Sequence, residues 1–228
     1  VSATRHPVSG ASVLVAGASG GLGSAIAREL HGRGATLTLV ARRPEPLEAM
    51  RVPGARLAAD LRTAAGCAAA CDAAIAHGGR LDVVVNAVGV VAFGPVAGLS
   101  AQAMEELFRT NALLPIMLAQ SALRAMPDGG AIVNLSGVIA ESNVAGMAAY
   151  GASKAAVRAF DEAFAREARR VGIRVLDARP PHTETGLAGR AIEGTAPDMP
   201  PGRDPADVAR VIVDAVERGA RDLPSSAF

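Results

Sequence analysis

Ser12-Val13-Leu14-Val15-Ala16 runs directly into Gly17-Ala18-Ser19-Gly20-Gly21-Leu22-Gly23. The first five residues are an apolar run, β-branched at two positions, as expected of a strand buried on both faces of a parallel sheet. The run stops at a glycine, and an amphipathic segment follows to about Arg33. Strand, glycine loop and helix in that order form a phosphate cradle. The glycines permit a tight turn, bring backbone N–H groups close to a pyrophosphate, and leave a helix N-terminus facing the anion. Gly17, Ser19, Gly20, Gly21, Leu22 and Gly23 are the expected contacts.

The same alternation continues along the chain. Thr36–Val40 reads as a second strand, ending in Ala41-Arg42-Arg43. No acidic residue is present there to accept from a ribose 2′-hydroxyl. Two guanidiniums follow instead, which suits a 2′-phosphate and hence NADP(H) over NAD(H). The plainer reading is a pair of solvated arginines opening a helix. The apolar run Ala55–Ala59 ends in Asp60-Leu61, Thr63–His77 is helical by composition, and Leu81–Val85 is a fourth strand closing on Asn86-Ala87-Val88-Gly89. A helix from about Ala101 to Met126 carries Asn111, and Ala131–Leu135 and Ile173–Ala178 are strands on either side of an Ala-rich helix, Met147–Val171. Pro180 opens an irregular Gly- and Pro-rich stretch that lasts to about Arg203. Asp204 as N-cap and Pro205 at the first position mark a helix to Arg218. The tail can add only an edge strand, since Pro224 bars a central one. With no repeat and no linker, the expectation is a single doubly wound α/β (Rossmann) domain over 1–228. It has a parallel sheet of six or seven strands flanked by helices, and a substrate-side loop at 183–203.

Composition narrows the class. Of the 228 residues half are apolar and only 3% aromatic, so the core is built from Ala, Val, Leu and Ile. The formal net charge is +1 and the arginines are dispersed among acids, with no basic stripe for nucleic acid. No apolar run approaches the roughly 18 residues of a membrane span, and Val1–Gly10 lacks the apolar core of a signal peptide. A soluble, cytoplasmic protein is expected. Cys67 and Cys71 read as small helical core residues, His6, His31 and His77 as solvated or capping groups, and no metal site is expected.

One tyrosine and one lysine occur in the whole chain, Tyr150 and Lys154, four residues apart in the Ala-rich helix. That spacing puts phenol and amine on one helix face. An ammonium there favours the phenolate and lowers the phenol's pKa from about 10 toward working pH, as general acid/base chemistry requires. The plain alternative is a half-buried Tyr with a Lys snorkelling to solvent. In a chain that otherwise uses arginine, a surface cation would have been arginine, and a guanidinium does not replace a compact point charge.

Taken together these motifs resemble the classical short-chain dehydrogenase/reductase family over nearly the whole chain. Gly17, Gly21 and Gly23 match its G-x-x-x-G-x-G loop, Asp60 its adenine-side Asp, and Asn86-Ala87-Val88-Gly89 its N-N-A-G turn. Asn111, Tyr150 and Lys154 match members of its catalytic tetrad, and Pro180 to Thr185 is similar to its P-G-x-x-x-T segment, with Pro181 in place of Gly. The resemblance implies cofactor contacts from Asp60, Leu61, Asn86, Ala87, Gly89, Pro180, Thr183 and Thr185, with Arg42 and Arg43 at the 2′-phosphate. It implies that Tyr150 gives a proton to a carbonyl, that Lys154 also binds the nicotinamide ribose, and that Asn111 holds a relay water. A homodimer or homotetramer is implied as well.

One role is vacant. The family's catalytic Ser falls thirteen residues before the Tyr, where this chain has Gly137, preceded by Ser136. Adjacent strand residues point to opposite faces, so Ser136 aims away from Tyr150 unless the strand end twists or bulges. Ser142, Ser136 or no hydroxyl at all (backbone or water) could take the role, and losing an oxyanion donor costs about 10²–10³ in turnover. His182 is a loop residue or a cofactor or substrate contact. Expected is an NADP(H)-dependent interconversion of carbonyl and secondary alcohol on a neutral, fairly hydrophobic substrate, held by 90–96, 138–147 and 187–199. A non-catalytic NADP(H)-binding sensor or partner subunit, or a lyase or isomerase on the same scaffold, are the alternatives.

Overall fold

The computed structural model describes residues 8–126 and 129–228, so His6 and the first seven residues of the N-terminal reading lie outside it. Seven strands form one sheet: β1 Ser12–Ala16, β2 Thr36–Ala41, β3 Ala55–Ala58, β4 Val83–Asn86, β5 Gly130–Leu135, β6 Ile173–Ala178 and β7 Asp222–Leu223. They lie in the order β3-β2-β1-β4-β5-β6-β7 and every pairing is parallel. The winding direction reverses between β1 and β4, and a crevice at the C-terminal ends of such a pair is the ligand side of an open α/β sheet. Ala16 pairs with Asn86, so the glycine loop and the turn after β4 leave the sheet side by side.

Among the described residues seven helices cover the faces: α1 Gly21–Gly32, α2 Pro44–Glu48, α3 Ala64–Gly78, α4 Ala101–Phe108, α5 Leu114–Ala125, α6 Ala148–Ala168 and α7 Pro205–Glu217. The strand period of two sorts the core. Val13 and Val15 pack with Ile26 of α1 and Ile212 and Val216 of α7. Leu14 and Ala16 face the other way, with Cys71 of α3, Leu118 of α5 and Phe164 of α6. Burying each such Leu, Ile or Val stabilises the fold by about 1.5–3 kcal/mol. Cys67 and Cys71 are core residues, and burial pushes their thiols up to about 11 and about 12, away from reactive thiolate. Helix starts follow their caps: Thr63 accepts from the Gly66 N–H, Ser100 from Ala103 and Asp204 from Ala206. Among the described residues no helix is long and apolar enough to cross a membrane.

Boundaries differ from the sequence expectation in places. The helix expected over 101–126 is interrupted by a π-helical segment, Arg109–Leu113, between α4 and α5. Pro115 is the physical reason: it lacks the N–H that an unbroken α-helix would aim at the carbonyl of Asn111. The strand expected at Leu81 begins at Val83 and includes Asn86, α6 ends at Ala168 in a short 3₁₀ turn, and Arg43 caps a short helix, α2.

Candidate active site

The glycine loop is shaped to meet an anion. Gly17 has φ +76°, and a Cβ there would lie 2.9 Å from the backbone of Ala87 and Val88. Only glycine fits this crossing of two backbones. The cap of α1 is Gly20, which offers no side-chain oxygen to the first-turn N–H groups. Those donors and the helix dipole therefore face the crevice. Ser19 is half-buried beside them and Leu22 packs its side chain on the core. The donor set fits a dinucleotide pyrophosphate.

The turn after β4 is braced from inside. Asn86 donates to Asn134 Oδ1 at 3.1 Å and accepts from the Val88 N–H at 3.2 Å, while the Ala87 N–H donates to Ala16 O at 2.9 Å. Asn86 thus orders the turn, and Gly89 carries it past the catalytic candidates. A Cβ on Gly89 would lie 3.3 Å from Lys154 Nζ and 3.6 Å from Asn111 Oδ1. The Asn111 amide is fully committed: Nδ2 donates to Val90 O and to Ser153 Oγ, each at 2.9 Å, and Oδ1 accepts from Val90 N–H at 2.9 Å. Ser153 then donates to Tyr150 O at 2.7 Å. Ser153 was not singled out from sequence, although a Ser three residues after Tyr150 in a helix is placed to bond back to that carbonyl.

Lys154 is 6% exposed, and its Nζ donates to Leu135 O at 2.8 Å. Burial lowers its pKa to about 8, with Asp177 working in the opposite direction. Burial also pushes the Tyr150 phenol up to about 12. The phenol is thus raised by burial, and not lowered by the ammonium as the spacing led one to expect. Near neutral pH the amine is mostly protonated and the phenol keeps its proton.

The hydroxyl candidates come out differently. Ser136 is fully buried, and its Oγ donates to the Asp177 carboxylate. It is therefore corrected to a residue of the β5–β6 interface, its hydroxyl already spent. Gly137 has φ +80° and ψ 164°. Ser142 is exposed, and among the described residues no hydrogen bond ties its hydroxyl to Tyr150.

On the adenine side, Asp60 is paired with Arg62, which donates from Nη2 at 2.8 Å and Nε at 2.9 Å. The Arg62 hydrogen bond holds its carboxyl down at about 2, against burial. Arg62 also reaches Glu106 at 2.8 Å. Leu61 is corrected to a core residue: its side chain is 4% exposed and its carbonyl accepts from the Cys67 thiol. Arg42 and Arg43 are exposed at the end of β2 and make no ion pair among the described residues.

Thr185 closes on the glycine loop, since a Cβ on Gly21 would lie 2.6 Å from it. Thr183 donates its hydroxyl to Pro181 O at 2.8 Å, and Pro180 is buried. His182 Nε2 lies 3.5 Å from Glu184 Oε1, and Glu184 is pinned by the Gly202 N–H at 2.6 Å. The three expected substrate segments meet: Phe93 N–H donates to Glu193 O at 2.9 Å, Ile192 N–H to Val91 O at 2.8 Å and Gly94 N–H to Gly146 O at 2.8 Å.

Residues 11–195 match the family model described as short chain dehydrogenase. An uncharacterised oxidoreductase of Methylorubrum extorquens is 30% identical over 225 residues, covering 91% of each chain. The D-threitol dehydrogenase of Mycolicibacterium smegmatis is 33% identical across 81% of this chain and 75% of its own. Among solved structures, a dehydrogenase/reductase from Sinorhizobium meliloti 1021 superposes with a TM-score of 0.83 at 25% identity, over 97% of both chains.

Proposed function

This chain belongs to the short-chain dehydrogenase family, and from that premise we propose that it interconverts a carbonyl and a secondary alcohol with NADP(H). The observation that carries the reading is the convergence of Lys154 and Asn111 on the Gly89 turn, beside a glycine cradle that no other residue type could form. When bound, the nicotinamide supplies or accepts hydride. The chain's own residues place it and manage the proton. Gly17, Ser19, Gly20, Gly21, Leu22 and Gly23 hold the pyrophosphate, and Thr185 closes over it. Asp60, Asn86, Ala87 and Gly89 border the nucleotide, with Leu61 offering backbone only. Arg42 and Arg43, exposed and unpaired, take the 2′-phosphate, which a charge-assisted fork recognises well.

In reduction, Tyr150 gives its phenolic proton to the carbonyl oxygen as hydride reaches the carbon. A phenol held near 12 is fully protonated for that task, and the developing phenolate is stabilised by the Lys154 ammonium. Asn111 positions the Val90 turn and α6 against each other through its amide. The apolar segments 90–96, 138–147 and 187–199 favour a neutral, fairly hydrophobic substrate. Phe108 and Leu113, 41% and 55% exposed on the helix pair around Asn111, offer a face for a homodimer or homotetramer.

Screening ketones for NADPH consumption tests the reading. Tyr150→Phe is expected to cost about 10²–10⁴ in turnover, and NADH to serve less well than NADPH. Unchanged turnover in that variant would remove the proposed proton donor. A sensor or partner subunit remains the second reading because Gly137 bears no hydroxyl and Ser136 is committed elsewhere. Tight NADPH binding with no turnover of any ketone would favour it.

A further inference from the structure

We propose that Asp177 is a positioning residue that keeps the Lys154 amine protonated, and that Ser136 holds it in place for this. Its catalytic meaning rests on the oxidoreductase reading; its geometry does not. The inward stripe of α6 includes Lys154, Val157, Asp161, Phe164 and Ala168, so two polar groups share a face that otherwise packs on the sheet. Opposite them β5 and β6 run in register, with Asn134 beside Asp177. Lys154 Nζ is tied to Leu135 O, and the next residue, Ser136, donates its hydroxyl to Asp177. Asp177 also accepts from Arg179, which reaches Glu141 and Asp222 as well. A cavity of about 280 Å³ lined by Asp161, Asp177, Arg179 and Arg221, among others, adjoins this cluster.

The charged and titratable groups on the elements packed about Lys154 include Tyr150, Arg158 and Asp161 on α6, Asp177 and Arg179 from β6 and its end, and Glu141 from the turn after β5. Burial raises the pKa of both Tyr150 and Asp161, which favours their neutral forms. Arg158 pairs with Glu162. Arg179 is shared among three carboxylates, so it does not cancel Asp177 alone. Asp177 is 5% exposed, which leaves its field little screened. Lys154 has no ion pair among the described residues, and Asp177 is the carboxylate that opposes the burial acting on its amine. A charged amine is what stabilises the phenolate left when Tyr150 gives up its proton, so the rate is lost as pH rises through the Lys154 pKa.

The chain's single lysine makes a direct test possible. Lysine labelled with ¹³C at the ε carbon gives one side-chain NMR signal, titrated from about pH 6 to about pH 10. The midpoint of Asp177→Asn is expected to fall by roughly one unit, the scale of a nearby opposite charge. Ser136→Ala is expected to fall less in the same direction, and covers the case in which Asp177→Asn does not fold. Asp161→Asn is expected to match wild type. The alkaline limb of kcat with NADPH and a ketone should move down with the NMR midpoint. Coincident midpoints in wild type, Asp177→Asn and Ser136→Ala would overturn the proposal, as would an equal fall in Asp161→Asn. A shifted midpoint in a protein that reduces no ketone supports the Asp177 assignment and overturns the oxidoreductase reading instead.

Discussion

At position 137 the backbone stands at φ +80° and ψ 164°, a combination open to glycine and strained for serine. Space is not the obstacle, because a Cβ there would meet only Pro180 O, at 3.8 Å. A serine placed there would have to adopt a backbone conformation that glycine takes without strain. Gly137→Ser is expected to lower stability by about 1–3 kcal/mol, read as a Tm drop of roughly 2–4 °C per kcal/mol. It should also fail to raise turnover by the 10²–10³ that an oxyanion donor is worth. A variant as stable as wild type and much faster would show that the loop accepts the serine after all. The glycine at 137 was legible in the sequence, but its φ was not, and neither was the bond from Ser136 to Asp177. Likewise the spacing of Tyr150 and Lys154 could be read directly, whereas the burial that sets their pKa values depends on what β5, β6 and the Gly89 turn bring against them.

The elements divide in the same way. Strands were legible because a parallel strand buried on both faces is an uninterrupted apolar run, α3 because of its Ala-rich composition, and α7 because Asp204 caps it. The π segment at Asn111 has a signal in the sequence, Pro115 four residues on, which an unbroken helix over 101–126 does not accommodate. The stretch 183–203 carries little periodicity, so its fixed course is set by distant partners. The Glu193 carboxylate accepts from the Ser100 N–H at 2.7 Å and from the Ser100 hydroxyl, at the N-terminus of α4. Glu193 also bridges to Ala92. This clamp ties the loop over the substrate segments while leaving the core untouched. Glu193→Ala is therefore expected to raise the ketone KM several-fold and to speed proteolytic cleavage within 183–203, with little change in Tm. An unchanged cleavage rate would mean that the backbone bonds to Val91 and Phe93 suffice to hold the loop.

Across the whole molecule, the doubly wound sheet follows from a chain that alternates apolar runs with amphipathic helices, and the reversal between β1 and β4 places the crevice. Nothing in that pattern announces the polar seam beneath α6, since Asp161 and Asp177 become neighbours only when the helix lies across β5 and β6. The seam has a cost in stability. Asp161 is 3% exposed; Oδ1 accepts from Asn134 at 2.7 Å, but Oδ2 has no hydrogen-bond partner among the described residues. Burial, with Asp177 adding to it, raises its pKa well above the ordinary 3.8. The folded chain therefore holds a proton that the unfolded chain releases, and stability falls as pH rises from the unfolded value toward the folded one. Asp161→Asn keeps an oxygen for Asn134 and removes the titration. It is expected to be more stable than wild type at neutral pH, by about 1.4 kcal/mol for each unit by which the folded state raises the Asp161 pKa. Thermal melts from about pH 4 to about pH 8 should show the two proteins nearly equal at the acid end and diverging as pH rises. Parallel curves would mean that Asp161 titrates alike in the folded and unfolded chain, with the arginines that line the adjoining cavity offsetting its burial.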